Sequence, residues 1–375
     1  MAKSVYIHIP FCQRICNYCD FVKRVSKRET IDQYIEALRT EIELYKPYEE
    51  LDTLYIGGGT PSILTIQQLK QIEMMIDDYF ILSEGCEFTV ECNPEHVTEE
   101  RVLLFKEMGV NRISLGVQTF NDRHLKLLNR GHTKEDVIRS VALLRQHGFD
   151  QINIDLIYAI PGQTLTELQD DLNMIKELNL EHVSAYSLIL EEKTVFEKWL
   201  KEGKIDLVDN ELEAKMFDYV MDALNKDGYH HYEISNFCKE GYESKHNKVY
   251  WSNDRYYGFG VGASGYLSTK RYYNVRHVNQ YLRALNNNSK PLEQEDELSL
   301  EEQISEELIL GLRLIRGVNL NDFKNKYNKS VFDCFPSEIK LLSEKGLIHI
   351  ESDHLSLTKE GLLKGNDVFV EFLKS

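Results

Sequence analysis

Tyr6-Ile-His-Ile-Pro-Phe-Cys12-Gln-Arg-Ile-Cys16-Asn-Tyr-Cys19-Asp-Phe21 places three cysteines in a C-x3-C-x2-C spacing directly after the branched apolar run Val5 to Ile9. The run reads as a strand and the cysteines as the loop that leaves it. Three thiolates at this spacing can hold three irons of a [4Fe-4S] cluster. No fourth cysteine follows nearby, so one iron is left for a small molecule. Structural zinc needs four ligands, usually in two close pairs, and no second Cys/His pair stands at such a spacing. Cys12, Cys16 and Cys19 are therefore the candidate metal ligands. Cys86, Cys92, Cys238 and Cys334 read as ordinary, partly buried side chains, and the seven cysteines as reduced thiols or metal ligands.

Working outward, five more strand-like runs follow, at Thr53 to Ile56, Glu87 to Val90, Arg112 to Val117, Gln151 to Ile157 and His182 to Leu190. Helix-period stretches separate them, the clearest being Ile31, Tyr34, Ile35, Leu38, Ile42 and Tyr45. Gly109 and Gly148 stand where C-caps belong, and Thr164 with Glu167 makes a capping box. Strand and helix in strict alternation require parallel pairing through right-handed crossovers, hence an α/β barrel or an open parallel sheet. Six repeats are too few for a full eight-stranded barrel, and a partial (β/α)6 barrel fits.

In such folds the loops at the C-terminal ends of the strands build the site. The unusual residues stand there: the cysteine loop, Gly57-Gly58-Gly59-Thr60-Pro61, Glu91-Cys-Asn-Pro94, Gln118, Asp155 and Tyr186-Ser187. Glycines let backbone groups approach a ligand closely, although a plain turn would use them too. Glu91 and Asp155 are carboxylates in apolar strands, and each should face a polar ligand or a cation. Gln118 could hydrogen-bond a ribose or a carboxylate, or cap a helix. Arg130 could pair with a carboxylate, but by residue type alone it reads as a solvated surface arginine.

The triad resembles the signature of the radical S-adenosylmethionine (SAM) superfamily. With Gly57 to Ser62, Glu91 to Pro94, Leu115 to Phe120, Asn153 to Tyr158 and Pro161-Gly162, nearly the whole chain is similar to the oxygen-independent coproporphyrinogen oxidase family. The resemblance implies a radical SAM barrel in which Cys12, Cys16 and Cys19 carry the cluster. It also implies that Tyr6, Gly58, Gly59, Thr60, Glu91, Gln118, Arg130, Asp155 and, more loosely, Ser187 contact SAM. The decarboxylases of that family carry a further cysteine where this chain has Phe21. His246-Asn247-Lys248-Val249-Tyr250-Trp251 matches instead the H-N-x-x-Y-W motif of a haem-chaperone branch. Imidazole is a common haem ligand, and Tyr250 and Trp251 offer flat apolar area for a porphyrin; the bland alternative is a packed surface histidine. The expected activity is haem binding and transfer, with oxygen-independent coproporphyrinogen III oxidation as the alternative.

Length divides the chain into a barrel at 1–200, an intermediate segment at 201–290 that carries the motif, and a winged-helix-like domain at 291–375, where three helices precede a hairpin at Leu347 to Leu357. The formal charge of -17 opposes nucleic-acid partners. No apolar run approaches the roughly 18 residues of a membrane span. The expectation is a cytoplasmic protein whose partners are haem, a haem acceptor of the membrane-bound respiratory cytochrome kind, and a second copy of the chain.

Overall fold

The computed structural model describes residues 2–47 and 49–373. Six strands, β1 (Ser4–Ile9), β2 (Glu50–Gly58), β3 (Ile81–Cys92), β4 (Arg112–Gln118), β5 (Gln151–Tyr158) and β6 (His182–Ser187), lie side by side in chain order. All five pairings between them are parallel. Both faces of these strands are covered, which is why they read as near-continuous apolar runs. β6 stops at Ser187, short of the expected Leu190.

The crossover helices form where their caps dictate. Thr65 with Gln68, Thr133 with Asp136 and Thr164 with Glu167 each close a capping box at a helix start. Gly109 and Gly148 end helices in the left-handed region, with φ of 83° and 74°. The partial (β/α)6 architecture is the one expected from the sequence.

Three short strands extend this sheet. β7 (His230–Glu233) and β8 (Asn236–Cys238) form an antiparallel pair beside β6, while β9 (Tyr257–Phe259) joins the far edge, parallel to β1. Most buried side chains from Ala2 to Leu285 make one core, those from Ile304 to Phe372 make a second, and Leu128, Ile157, Ile160 and Phe196 make a small third. In that second unit the helices Leu300–Gly311, Leu320–Tyr327 and Pro336–Glu344 precede the hairpin Ile348–Glu351/His354–Leu357, which Val318–Asn319 widens to three strands. This is the winged-helix-like order. The two units are joined by backbone bonds from Ile234 to Arg313 (2.9 Å) and from Ile315 to Tyr232 (3.0 Å). The Arg313 guanidinium also lies 4.5 Å above the Trp251 ring. No helix among the described residues is long and apolar enough to cross a membrane.

Candidate functional site

The cysteine loop is pinned from both sides. Cys12 N donates to Arg24 O (3.0 Å), Arg24 N to Pro10 O (2.7 Å), and Asn17 N to Leu128 O (3.1 Å). Asn129 Nδ2 adds a bond to Ile15 O at 2.7 Å. Held this way, the three thiols are half-buried and line one cavity of about 140 Å³. Thr60 Oγ1 donates to Cys12 Sγ at 3.7 Å and Arg130 to Cys16 Sγ at 3.5 Å. Burial pushes the Cys12 thiol up to about 11, so it needs the positive charge of bound iron to stand as a thiolate. Among the described residues no three ligating side chains converge on a single ion. The donors of a four-iron cluster sit on separate irons, and three thiols around one cavity with a cationic donor beside them fit that group.

Gly58, Gly59, Thr60, Glu91, Gln118, Arg130 and Asp155 line the same cavity. Gly58 takes a φ of +114°, and a side chain there would meet the His8 ring. Gln118 also sits at positive φ (71°), beside a register shift between Gly116 and Gln118. Such a bulge re-aims a side chain, and here the amide lines the cavity rather than capping a helix. Arg130 departs from the solvated reading of its residue type: its guanidinium bonds Asn93 Oδ1 at 2.8 Å, Gly116 O and Cys16 Sγ, all remote in sequence.

A second cavity, of about 390 Å³, continues into the barrel and shares Glu91, Gln118 and Asp155 with the first. Ser187 lines only this second space and donates to Glu213. Tyr6 lines neither: its hydroxyl lies 2.9 Å from His8 Nδ1, and its side chain borders a third space described below. The pleat of β1 turns Tyr6 to the same side as His8, whose ring stands beside Gly58 of the first cavity.

Glu91 receives Tyr55 Oη at 2.8 Å and Gly58 N at 2.9 Å. Burial, and then the charge of Asp155, raise it from 4.5 to about 7, and burial raises Asp155. Among the described residues neither carboxylate has an ion-pair partner, so an amine or hydroxyls of a ligand would complement them. A carboxyl raised by folding holds its proton more tightly in the folded state, so its contribution is fully present below the unfolded value and is lost as pH rises through about 7. Glu91→Gln should therefore gain stability relative to wild type between about pH 4.5 and 7, by about 3 kcal/mol. Thermal unfolding across that range measures it, and a constant difference would contradict it.

The H-N-x-x-Y-W motif forms the short helix Lys245–Trp251, capped by Ser244 and tied to Glu87, whose carboxylate accepts from the backbone N of Lys245 (3.0 Å) and of His246 (2.9 Å). His246 is 1% exposed. Its Nδ1 lies 2.8 Å from Thr53 Oγ1 and its Nε2 2.8 Å from Tyr250 Oη, with the ring stacked on Tyr55 at 5.1 Å. Burial, and then Arg112, pull it down to about 3, so it is neutral. The expectation of an imidazole offered to iron meets this geometry: both nitrogens are engaged, and His246 is not among the residues lining the three spaces described. Tyr250 and Trp251 do line the third space, of about 740 Å³, bordered also by Phe21, Asn253, Arg271, Arg276 and Leu310.

Two residues of the barrel interior escaped the sequence reading. Arg112 is 4% exposed and lines the barrel cavity beside Glu91 and Asp155. A charge opening an apolar strand was the available signal, the same one that marks the two carboxylates. Asn153 bonds Asp155 (2.9 Å), Ser114 (2.8 Å) and His182 (2.7 Å), holding the floor of the site.

Residues 6–175 match the model of the radical SAM superfamily, and residues 298–363 match the HemN C-terminal domain. The chain is 45% identical to "Heme chaperone HemW" of Bacillus subtilis over 375 residues, covering 99% of both chains. It is 45% identical to the protein of the same name from Lactococcus lactis, covering 99% of this chain and 97% of that one. Among solved structures, coproporphyrinogen III oxidase (HemN) from Escherichia coli, a radical SAM enzyme, is similar with a TM-score of 0.86 at 24% identity, over 98% of this chain and 89% of that one. That likeness shows a shared fold.

Proposed function

The chain belongs to the radical SAM superfamily and, within it, to the HemW family, and from that membership we propose that it binds haem and passes it to an acceptor protein. The superfamily implies a [4Fe-4S] cluster and SAM. Cys12, Cys16 and Cys19 would hold the cluster, and Tyr6, Gly58, Gly59, Thr60, Glu91, Gln118, Arg130 and Asp155 would hold SAM, with Ser187 at the far end of the barrel cavity. When bound, such a cluster would supply one-electron reduction of SAM, with the residues named holding and orienting the two groups. In this reading residues 1–200 serve the cluster, 201–290 carry haem on the motif helix, with Tyr250 and Trp251 bordering the third space and His246 packed behind them, and 291–375 meet the acceptor.

The observation that carries the haem reading is the 740 Å³ space itself. It is bordered by the Tyr250 and Trp251 rings of the motif helix, by Tyr6 and Tyr256 and by Arg276, unpaired among the described residues, while Arg271 is paired with Glu306 at 2.7 Å and Asp20 and Asp254 also line it, so its size and aromatic wall are what suit a flat tetrapyrrole. Phe21, 66% exposed, stands where the decarboxylases have their further cysteine, and it weighs against the oxidase alternative. The test is titration of the anaerobically reconstituted protein with ferric haem, followed by mixing with an apo-haem protein. Stoichiometric uptake and release to the acceptor are expected. No uptake, or uptake without release, would overturn the reading.

A further inference from the structure

β4 turns Arg112, Ser114 and Gly116 to one face, two residues apart. Ser114 and Gly116 line the cavity of the three thiols; Arg112 lines only the space of about 390 Å³ that continues into the barrel, roughly 13 Å along the strand from Gly116. It is 4% exposed, yet its guanidinium makes no hydrogen bond or ion pair among the described residues, and its Nε is covered without a partner. A buried charge left unpaired is costly, so such a group requires a counter-ion. Its neighbours do not supply one. Burial, and then Arg112 itself, hold His182 and His246 neutral. Glu91 and Asp155 stand in register with Ser114 and Gly116, one and two rungs higher, and outside ion-pair distance. Ser114 accepts from Asn153 Nδ2 at 2.8 Å, which leaves its own O–H to donate.

We propose that the deep end of the barrel cavity is a binding site for a small organic carboxylate other than SAM, with Arg112 as its anchor and the Ser114 hydroxyl as a second donor. The planar guanidinium fork matches a carboxylate with two parallel N–H···O bonds. Arginine does not lose its proton in proteins, so the site stays cationic when empty, and the cost of that charge is recovered when the anion enters. Ile157, Leu188 and Ile189 line the same cavity and suit a short hydrocarbon or aryl body on the carboxylate. The site stands apart from the haem reading, which concerns a different space.

The experiment is titration of the full, anaerobically reconstituted chain with 13C-labelled acetate at constant ionic strength, followed by NMR line broadening, with and without SAM. Acetate is the smallest stable probe with a methyl body, so the result does not depend on the remainder of the ligand. Wild type is compared with Arg112→Lys and Arg112→Met, and iron content and thermal unfolding are measured for each as a check of the fold. Wild type should bind acetate saturably whether or not SAM is present. Arg112→Lys, which keeps the charge and loses the fork, should weaken it tenfold or more, and Arg112→Met should abolish it. Without acetate Arg112→Met should melt above wild type, because an unpaired buried charge has given way to an apolar side chain. No saturable binding by wild type, or equal affinity in either variant, would overturn the proposal. Loss of acetate binding on addition of SAM would assign Arg112 to the SAM site and overturn it as well.

Discussion

Cys12→Ala is expected to lose the cluster and to keep the fold. Cys12 is one of three thiols carried by the loop; Cys86 and Cys238 are buried elsewhere, Cys334 belongs to the C-terminal unit, and Cys92, which also borders the cavity, is fixed in β3 and 3% exposed, outside the loop that presents the triad. The loop itself is held by backbone bonds such as Cys12 N to Arg24 O, which an alanine keeps. Iron content and visible absorbance after anaerobic reconstitution should fall to near background, while circular dichroism stays that of the wild type. A variant with a full complement of iron would remove Cys12 from the ligand set.

The second large effect is at Gly59. Its N donates to Ile9 O at 2.8 Å, which draws the end of β2 against the end of β1 where the cysteine loop begins. A Cβ at this position would stand 2.8 Å from Phe11 O and 2.9 Å from both Ile9 O and Phe11 N. These are backbone atoms on the path to Cys12, and no rotamer change relieves the clash. Gly59→Ala should therefore cost about 1–3 kcal/mol, as overpacking does in tight interiors. By displacing the loop it should also weaken SAM binding and cluster assembly together. Thermal unfolding and calorimetric SAM titration would show it; unchanged values for both would mean that β1 and β2 can part at no cost.

Much of the barrel was legible because its signals are local. Continuous apolar runs mark strands covered on both faces, threonine boxes mark helix starts, and Gly109 and Gly148 mark helix ends. The same logic put Glu91 and Asp155 into one cavity with the cysteines. What escaped depends on partners far along the chain. Arg130 reads as a surface residue until Cys16, Asn93 and Gly116 are seen around it. The motif names the imidazole of His246 but not the Thr53 hydroxyl that occupies its Nδ1. β7, β8 and β9 are strands of three or four residues, too short for an alternation to register, and β8 and β9 are buried along their whole length.

The central claim is that a radical SAM scaffold here serves to carry a tetrapyrrole rather than to oxidise one. Its most direct test is to supply coproporphyrinogen III, SAM and a reductant to the fully reconstituted protein under anaerobic conditions, and to measure carbon dioxide and protoporphyrinogen IX beside stoichiometric haem binding by the same preparation. The account predicts haem bound and no decarboxylation. Sustained turnover to protoporphyrinogen IX would contradict it.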